Sequence, residues 1–313
     1  MRVPSIVAEE PTMSMCTPAF RVRPVLLIAA IVVTGAAAAS AQQDFSNVQV
    51  ASEKVAGAVH MLSTGIAGNI GVSAGPDGIL IVDDQFAPLA DKIRSALQAI
   101  APGDLEFVVN THWHGDHTGG NEVFGREAVI VAHTNVRKRL MTGASGEREV
   151  PPAPAVALPV ITYDDGVSVH FNGEEIRVVH LPPGHTDGDS YVHFTGSNVV
   201  HLGDDFFSGR FPYVDLASGG SPEGLRDNIG RLLGELPADV RIIPGHGPLS
   251  TIDDLRAYHE MLVDTIDQLK TAKAAGRTLD EVKAAGFGER WASWSWSFIT
   301  TERWAEIVYR SLP

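Results

Sequence analysis

The sequence has almost no cysteine. Cys16 is the single cysteine among 313 residues, so the chain cannot form an internal disulfide. A zinc site made of several thiolates is excluded for the same reason. Any metal site in this chain must therefore be built mainly from histidine and carboxylate side chains.

Basic residues are few compared with acidic ones. The chain has 24 lysines and arginines against 38 aspartates and glutamates, which gives a formal net charge of −14. A negative field of this size repels phosphate backbones. We therefore expect no nucleic-acid partner.

Long apolar runs are lacking apart from one near the N-terminus. Arg21 and Arg23 precede an apolar run at residues 25–33, which is too short to span a membrane comfortably. Positive residues, an apolar run and small residues in that order are typical of a secretory signal peptide. We therefore predict a signal peptide over residues 1–41 and one domain over residues 42–313.

The small residues Ala39, Ser40 and Ala41 place the expected cleavage after Ala41. Removal of this leader would take away three arginines, two glutamates and Cys16, which leaves a net charge of −15. We expect the remaining chain to be periplasmic or secreted, with no stable membrane anchor. The sequence leaves the oligomeric state open.

What the sequence does contain is a dense group of metal-binding side chains. His112, His114, Asp116 and His117 fall within six positions, directly after the apolar run at residues 105–109. That run predicts a buried strand, and the polar segment after it predicts a loop at the end of the strand. Neutral imidazole and ionised carboxylate are both ligands of divalent cations. The pattern therefore predicts a metal-binding loop.

The same context occurs at three further places in the chain. Each is an apolar strand followed by glycine and then by a residue that can bind metal, namely His185, Asp204 and His246. Glycine allows the tight turn and the close backbone approach that direct the next side chain inward. Four strand ends are therefore predicted to contribute to one site.

This order of residues resembles that of the metallo-β-lactamase superfamily of metal hydrolases. The resemblance rests on the motif at residues 112–117 and on the three later residues, and it covers most of the chain after residue 45. Asp83, which follows the apolar run at residues 79–82, matches the early aspartate of that family. The resemblance implies an α+β protein with a four-layer αββα sandwich, and a hydrolase domain over residues 42–313.

The resemblance also implies two zinc sites that share one carboxylate. The first would use His112, His114 and His185. The second would use Asp116, His117 and His246. Asp204 would bridge the two ions, Asp83 would support the site from behind the ligands, and Asp116 would also orient the nucleophile. Nitrogen and oxygen ligands suit zinc, and iron and manganese stay open as alternatives.

Two zinc ions in such a site would share a bridging hydroxide that attacks an acyl carbonyl. We therefore expect a binuclear zinc hydrolase that cleaves lactone, ester, thioester or amide bonds of a small molecule. A periplasmic β-lactamase is one alternative, although Asp204 stands where one class of those enzymes has cysteine. A mononuclear iron persulfide dioxygenase, which shares the first motif, is the other.

Periodicity predicts where the main elements lie. Alternation predicts strands at residues 59–63, 69–74 and 79–82, and the dipeptide Asn172-Gly173 predicts a hairpin between strands at 167–171 and 174–181. Helical spacing predicts helices at residues 88–100, 222–236 and 252–275. Strands mixed with helices in this way favour two packed sheets with helices outside, in one domain.

Two segments of the sequence each allow two roles. Residues 142–157 form either a lid or a surface excursion, and the aromatic segment at 206–220 either walls a pocket or packs beneath the loop. The tryptophan-rich tail is expected to dock on the body of the domain. Of the remaining histidines, His180 and His201 are expected in the core or behind the ligands, and His133 is a candidate for substrate contact.

Overall fold

Two β-sheets packed face to face form the centre of the molecule. A computed structural model of the protein describes residues 44–144 and 149–313, and residues 44–313 form one compact unit. The predicted signal peptide at residues 1–41 lies outside the described residues. No helix within the described residues is both long and apolar enough to cross a membrane.

The first sheet has seven strands, in the same order in space as in the chain. Its first four strands pair antiparallel, and its last three add in parallel. The strands are β1 Ala51–Ala56, β2 Val59–Ser63, β3 Ile70–Gly75, β4 Gly78–Val82, β5 Leu105–Asn110, β6 Val129–His133 and β7 Ile161–Tyr163.

The second sheet has six strands in the order β13-β12-β11-β10-β9-β8. All its neighbours are antiparallel except β11 and β12, which run in parallel. The strands are β8 Gly166–Phe171, β9 Glu174–His180, β10 Ser190–Phe194, β11 Val199–His201, β12 Arg241–Ile243 and β13 Ser250–Thr251.

Strand β4 shows why the apolar runs fold as two-sided strands. Leu80 and Val82 pack into the layer between the sheets, whereas Ile79 and Ile81 pack into the outer layer of the first sheet. Successive side chains of a strand point to opposite faces, so a continuous apolar run suits a strand that is covered on both sides.

Helices cover the outer faces of both sheets and complete four layers. Helix α1 packs on the first sheet, and helices α5, α6 and α8 share an apolar cluster with the second. The predicted α+β class and αββα sandwich are therefore confirmed. The helices are α1 Ala90–Ile100, α2 Gly115–Thr118, α3 Asn121–Phe124, α4 Thr134–Thr142, α5 Pro222–Glu235, α6 Ile252–Ala274, α7 Leu279–Ala285 and α8 Thr301–Ser311.

The predicted helix at residues 88–100 is divided in the structure. A 3₁₀ turn, Ala87–Leu89, precedes α1, because Pro88 fixes its own φ and suits a first turn. The predicted hairpin is confirmed, since Asn172 and Gly173 have φ values of 51° and 82°, as a type I′ turn requires.

The tryptophan-rich tail docks on the body of the domain, as predicted. Trp291 and Trp304 are buried in the apolar cluster of the second sheet, and Trp294 and Trp296 pack against it. The Nε1 of Trp304 donates a hydrogen bond to the Oγ1 of Thr265 on α6 (3.0 Å). Burial of these large rings attaches α7 and α8 to the second sheet.

Part of the segment at residues 142–157 packs beside the first metal-binding loop. Ala144 and Val150 form an antiparallel bridge, and both contact a small apolar cluster that contains Trp113. A 3₁₀ turn, Ala155–Ala157, follows. Residues 145–148 lie outside the described residues.

Candidate metal centre

The predicted ligands lie at one end of the sandwich because the strands that carry them end there. Strands β4 and β5 are parallel neighbours, as are β11 and β12, so each pair places its carboxyl ends at a common edge. Asp83 follows β4, the loop at residues 111–117 follows β5, Asp204 follows β11 and His246 follows β12. The structure brings all seven predicted ligands together.

The first group consists of three histidines and the shared aspartate. The Nε2 of His185 lies 2.8 Å from the Nδ1 of His114 and 3.5 Å from the Oδ2 of Asp204. The Nε2 of His112 lies 3.8 Å from the same carboxylate oxygen. All four candidate ligand atoms lie within 4.8 Å of one another, so one ion can reach them together.

The second group lies on the other side of the Asp204 carboxylate. The Nε2 of His246 lies 3.2 Å from the Oδ2 of Asp116 and 3.5 Å from the Nε2 of His117. The Oδ1 of Asp204 lies 3.1 Å from His117 and 3.4 Å from His246. Each oxygen of Asp204 therefore faces a different group, which is the geometry of a bridging carboxylate.

Two unsatisfied buried atoms show that this cluster fits a metal. Among the described residues, the Nε2 of His112 and the Oδ1 of Asp204 are buried without a hydrogen-bond partner. A buried polar atom without a partner is costly. Both atoms point into the cluster of ligands, where a cation would satisfy them. The side chains present are therefore able to hold metal.

Asp83 lies behind the cluster, and both of its carboxylate oxygens accept hydrogen bonds. Its Oδ1 accepts from the backbone N of Thr111 (2.8 Å), and its Oδ2 accepts from the Thr111 hydroxyl (2.8 Å). The Oδ2 also lies 2.7 Å from the Nδ1 of His117. Through this contact the carboxylate can fix the tautomer and orientation of His117.

Two supporting contacts were missed at the sequence level. The Nε2 of His114 is 3.0 Å from the Oδ2 of Asp215, and the Nδ1 of His185 is 2.7 Å from the backbone oxygen of Tyr213. Both partners lie in an irregular segment with no strand before them, so the strand-then-ligand pattern could not select them. The one available sign was that both partners lie within the aromatic segment at residues 206–220.

Burial and charge act differently on the two groups. Burial lowers the pKa of His112 well below its usual value and that of His185 to about 4, so both are neutral and ready to bind a cation. Burial also opposes protonation of His246, yet the carboxylates of Asp204 and Asp116 raise its pKa to about 9. Metal bound by the second group would displace that proton.

Two glycines let the backbone approach the ligands closely. A Cβ at position 245 would overlap with the Oδ1 of Asp204, and a Cβ at position 68 would overlap with the ring of His117. Glycine is the residue that permits such close packing of backbone against a functional side chain. The glycine before His246 was part of the sequence pattern, whereas Gly68 was not.

The surroundings of the other predicted candidates show whether they lie in the core or could contact a substrate. His201 is buried, with its Nε2 donating to the oxygen of Asn69 (3.0 Å), so it is a core residue. His133 is 5% exposed and stacks on His180, with ring centroids 3.8 Å apart, which leaves it no open face for a substrate. In the aromatic segment, Phe206 and Phe211 pack in the core.

The comparisons with known proteins agree with this geometry. The model of the metallo-beta-lactamase superfamily matches residues 65–246. A hydroxyacylglutathione hydrolase of Gloeobacter violaceus is 28% identical over 197 residues, which are 60% of this chain and 70% of that protein.

Solved structures show the same fold at low sequence identity. A metallo-beta-lactamase from Pontibacter korlensis has a TM-score of 0.59 and 17% identity, over 69% of this chain and 100% of that one. A sec-alkylsulfatase from Pseudomonas sp. has a TM-score of 0.62 and 16% identity, over 84% of this chain and 50% of that one.

The sandwich and its histidine–aspartate cluster define a metal-dependent hydrolase. The chain belongs to the metallo-β-lactamase superfamily, since the family model spans more than half of it.

Proposed function

We propose that this chain is a binuclear zinc hydrolase that cleaves acyl bonds of small molecules. The observation that carries the proposal is the position of Asp204 between two complete ligand groups, with a buried oxygen that has no hydrogen-bond partner within the described chain. The groups offer nitrogen and oxygen ligands without thiolate, a set that suits zinc.

Two bound zinc ions would supply an activated water and polarise the substrate carbonyl. The side chains of the protein would orient that water. Asp116 is 30% exposed and is the most open of the seven candidate ligands. At the opening of the cluster, its carboxylate can accept a hydrogen bond from the attacking water. We assign Asp116 this catalytic role in addition to metal binding.

The choice of an acyl substrate is supported by the relatives and by Asp204. Several of the relatives carry the name hydroxyacylglutathione hydrolase. A hard, charged carboxylate between the groups would let two bound metal ions hold one hydroxide, which could attack general acyl carbonyls. We therefore place lactones, esters and thioesters ahead of β-lactams as substrates of this chain.

Metal analysis and a substrate panel on one preparation test the proposal. We expect two zinc ions per purified chain and hydrolysis of lactones, esters or thioesters, with weak or no turnover of nitrocefin-type β-lactams and phosphodiesters. Efficient β-lactam cleavage, near ~10⁵ M⁻¹s⁻¹ or above, with esters untouched would favour the β-lactamase alternative. One iron, no zinc and oxygen uptake with a persulfide would favour the dioxygenase.

We also propose that the chain is exported, with cleavage after Ala41. The proposal is supported by the arginines, apolar run and small residues of the first 41 positions. N-terminal sequencing of protein from the periplasmic fraction should begin at Gln42. An intact leader on cytoplasmic protein would contradict it.

A further inference from the structure

Three aromatic rings form a continuous wall that joins the two ligand groups. Tyr213 lies next to the first group, with its ring centroid 5.8 Å from that of His114. Trp296 lies next to the second group, 6.4 Å from the ring of His246. Phe298 connects them, at 5.7 Å from Tyr213 and 5.5 Å from Trp296. We call these three rings the aromatic wall.

The wall stands on the open side of the metal centre. His114 and His246, the ligands that it adjoins, have 17% and 16% of their side chains exposed, whereas His112, His117 and His185 are buried. Phe298 itself is 45% exposed. A large ring exposed beside a catalytic opening presents apolar surface where a substrate would lie.

The wall is held in place by the backbone. The Nε1 of Trp296 donates to the backbone oxygen of Phe211 (2.9 Å), and the backbone N of Phe211 donates to the oxygen of Trp294 (2.9 Å). The backbone N of Trp296 donates to the oxygen of Ile299 (3.1 Å). The C-terminal segment therefore positions its rings against the metal centre in a fixed arrangement, as a binding surface requires.

Two arginines lie over this wall and have no acidic partner. The guanidinium carbon of Arg303 lies 4.7 Å from the ring centroid of Phe298 and 5.6 Å from that of Tyr213, and that of Arg210 lies 5.0 Å from Trp296. Neither forms an ion pair with any residue in the described ranges.

Arg290 differs from these two arginines in having an acidic partner. Arg290 also lies over a ring, that of Trp291, at 4.3 Å, but it pairs with Glu260 at 2.6 Å. Arg303 donates a hydrogen bond to the backbone oxygen of Phe298 (3.1 Å), but its charge is not neutralised. In a chain with a net charge of −14, two arginines without an acidic partner give the opening a local positive charge. Planar guanidinium groups suit recognition of a carboxylate.

We infer that the aromatic wall and its two arginines form the specificity site of the enzyme, and that the favoured substrate is an acyl compound with an aromatic group and a carboxylate. The ring of the substrate packs on Tyr213, Phe298 and Trp296, and its carboxylate binds Arg303 and Arg210. This inference rests on the proposed function, because the wall is placed to hold a substrate whose acyl carbonyl reaches the ligand cluster.

A set of four esters tests the inference by kinetics. The set combines an aryl or alkyl group with a carboxylate or a neutral amide, and all four are measured on the zinc-loaded full chain. In Arg303→Gln, the kcat/KM of the carboxylated aryl ester relative to the neutral alkyl ester should fall about tenfold, mainly through KM, for the loss of one charged and stacked contact. Phe298→Ala should reduce the preference for aryl over alkyl esters.

Two control variants separate recognition from folding. Arg290→Gln alters an arginine of the same C-terminal segment that is stacked and paired elsewhere, and should keep the wild-type preference. Arg303→Lys retains the charge and should recover part of the preference for the carboxylate. Unchanged preferences in Arg303→Gln and Phe298→Ala, with hydrolysis intact, would overturn the inference and leave the proposed function standing.

Binding of phenylacetate gives a measurement that does not need turnover. Phenylacetate should change the tryptophan fluorescence of the wild-type chain, and Trp296→Phe should remove most of that change. Arg303→Gln should weaken the binding about tenfold. Such binding by a chain that hydrolyses no acyl substrate would support the wall and contradict the proposed function. No phenylacetate binding, or equal binding by Arg303→Gln, would overturn the inference.

Discussion

The three histidines of the first ligand group each have their second ring nitrogen held by a hydrogen bond, to Thr111, Asp215 or the backbone of Tyr213. In the second group the same is true only of His117, within the described residues. His246 is supported by stacking on Phe207, with centroids 5.0 Å apart. The first group is therefore the more rigid of the two.

Exposure distinguishes the groups only through Asp116. His114 and His246 are 17% and 16% exposed and each group contains a buried histidine, whereas Asp116 is 30% exposed. Ligands held by outer hydrogen bonds bind metal more tightly because less order is lost on binding. The difference indicates that the first group would bind its metal ion more tightly. The second group, through Asp116, would lie nearer to the attacking water.

Loss of Asp204 should weaken metal binding in both groups, because its carboxylate lies between them. We expect Asp204→Ala to lower metal content in both groups and to reduce hydrolysis by more than ~1,000-fold, since metal ions supply several kcal/mol to the transition state. Elemental analysis and the ester assay measure the two effects. His259→Ala, at a histidine of α6 outside the cluster, is the control and should behave as wild type.

Asp83 supports the second group directly, through His117, and the first group only indirectly, through Thr111. In Asp83→Asn we expect the second ion to bind ~10–100-fold more weakly, because His117 loses its charged partner. Asparagine tolerates the left-handed backbone of this position, where φ is 64°. Asp215→Asn is the matched variant, and it should weaken the first ion instead. If both variants lose the same ion, the division into two groups is wrong.

Much of the site could be predicted from the sequence because its ligands follow strands. Each ligand motif begins where an apolar run ends, so strand periodicity and residue type together locate it. Strand β1 was missed, because its residues are mostly exposed and give no apolar alternation. Helices α7 and α8 were expected only as a docked tail.

The parts that could not be predicted depend on contacts between distant segments. Asp215 is 101 positions from the histidine that it contacts, and nothing local marks it as a partner. The aromatic wall joins Tyr213 to Phe298 across 85 positions of chain. Residue type indicates that such side chains pack somewhere, whereas only the folded chain shows what they face.

Removal of metal should distinguish the groups in the wild-type chain. During dialysis against increasing chelator, we expect one zinc ion to leave at a concentration at least about tenfold lower than the other, since outer-shell support changes affinity by that order. The first ion to leave should be the one whose release is shifted by Asp83→Asn. Release of both ions in a single step would show that Asp204 couples the two groups into one unit.

The smallest effect concerns acid stability away from the ligands, which must be separated from acid loss of metal. Burial, reinforced by the neighbouring His180, lowers the pKa of His133, and the Nδ1 of His133 accepts a hydrogen bond from the backbone N of Asn135 (3.3 Å) at the start of α4.

A histidine whose folded pKa is lowered binds protons more readily when unfolded, so its stabilising effect is complete above its ordinary pKa of about 6.5. That contribution is lost as the pH falls through the lowered value. Urea unfolding of metal-free protein should therefore show that the contribution of His133 to stability is smaller at pH 5.5 than at pH 7.5, measured as the difference between wild type and a His133 variant. In His133→Asn, where asparagine can still cap the helix, the decrease in stability should be smaller, whereas His170→Asn, at an exposed position of β8, should keep the wild-type decrease. If stability decreases equally in wild type and in His133→Asn between pH 7.5 and pH 5.5, the acid sensitivity belongs to other histidines.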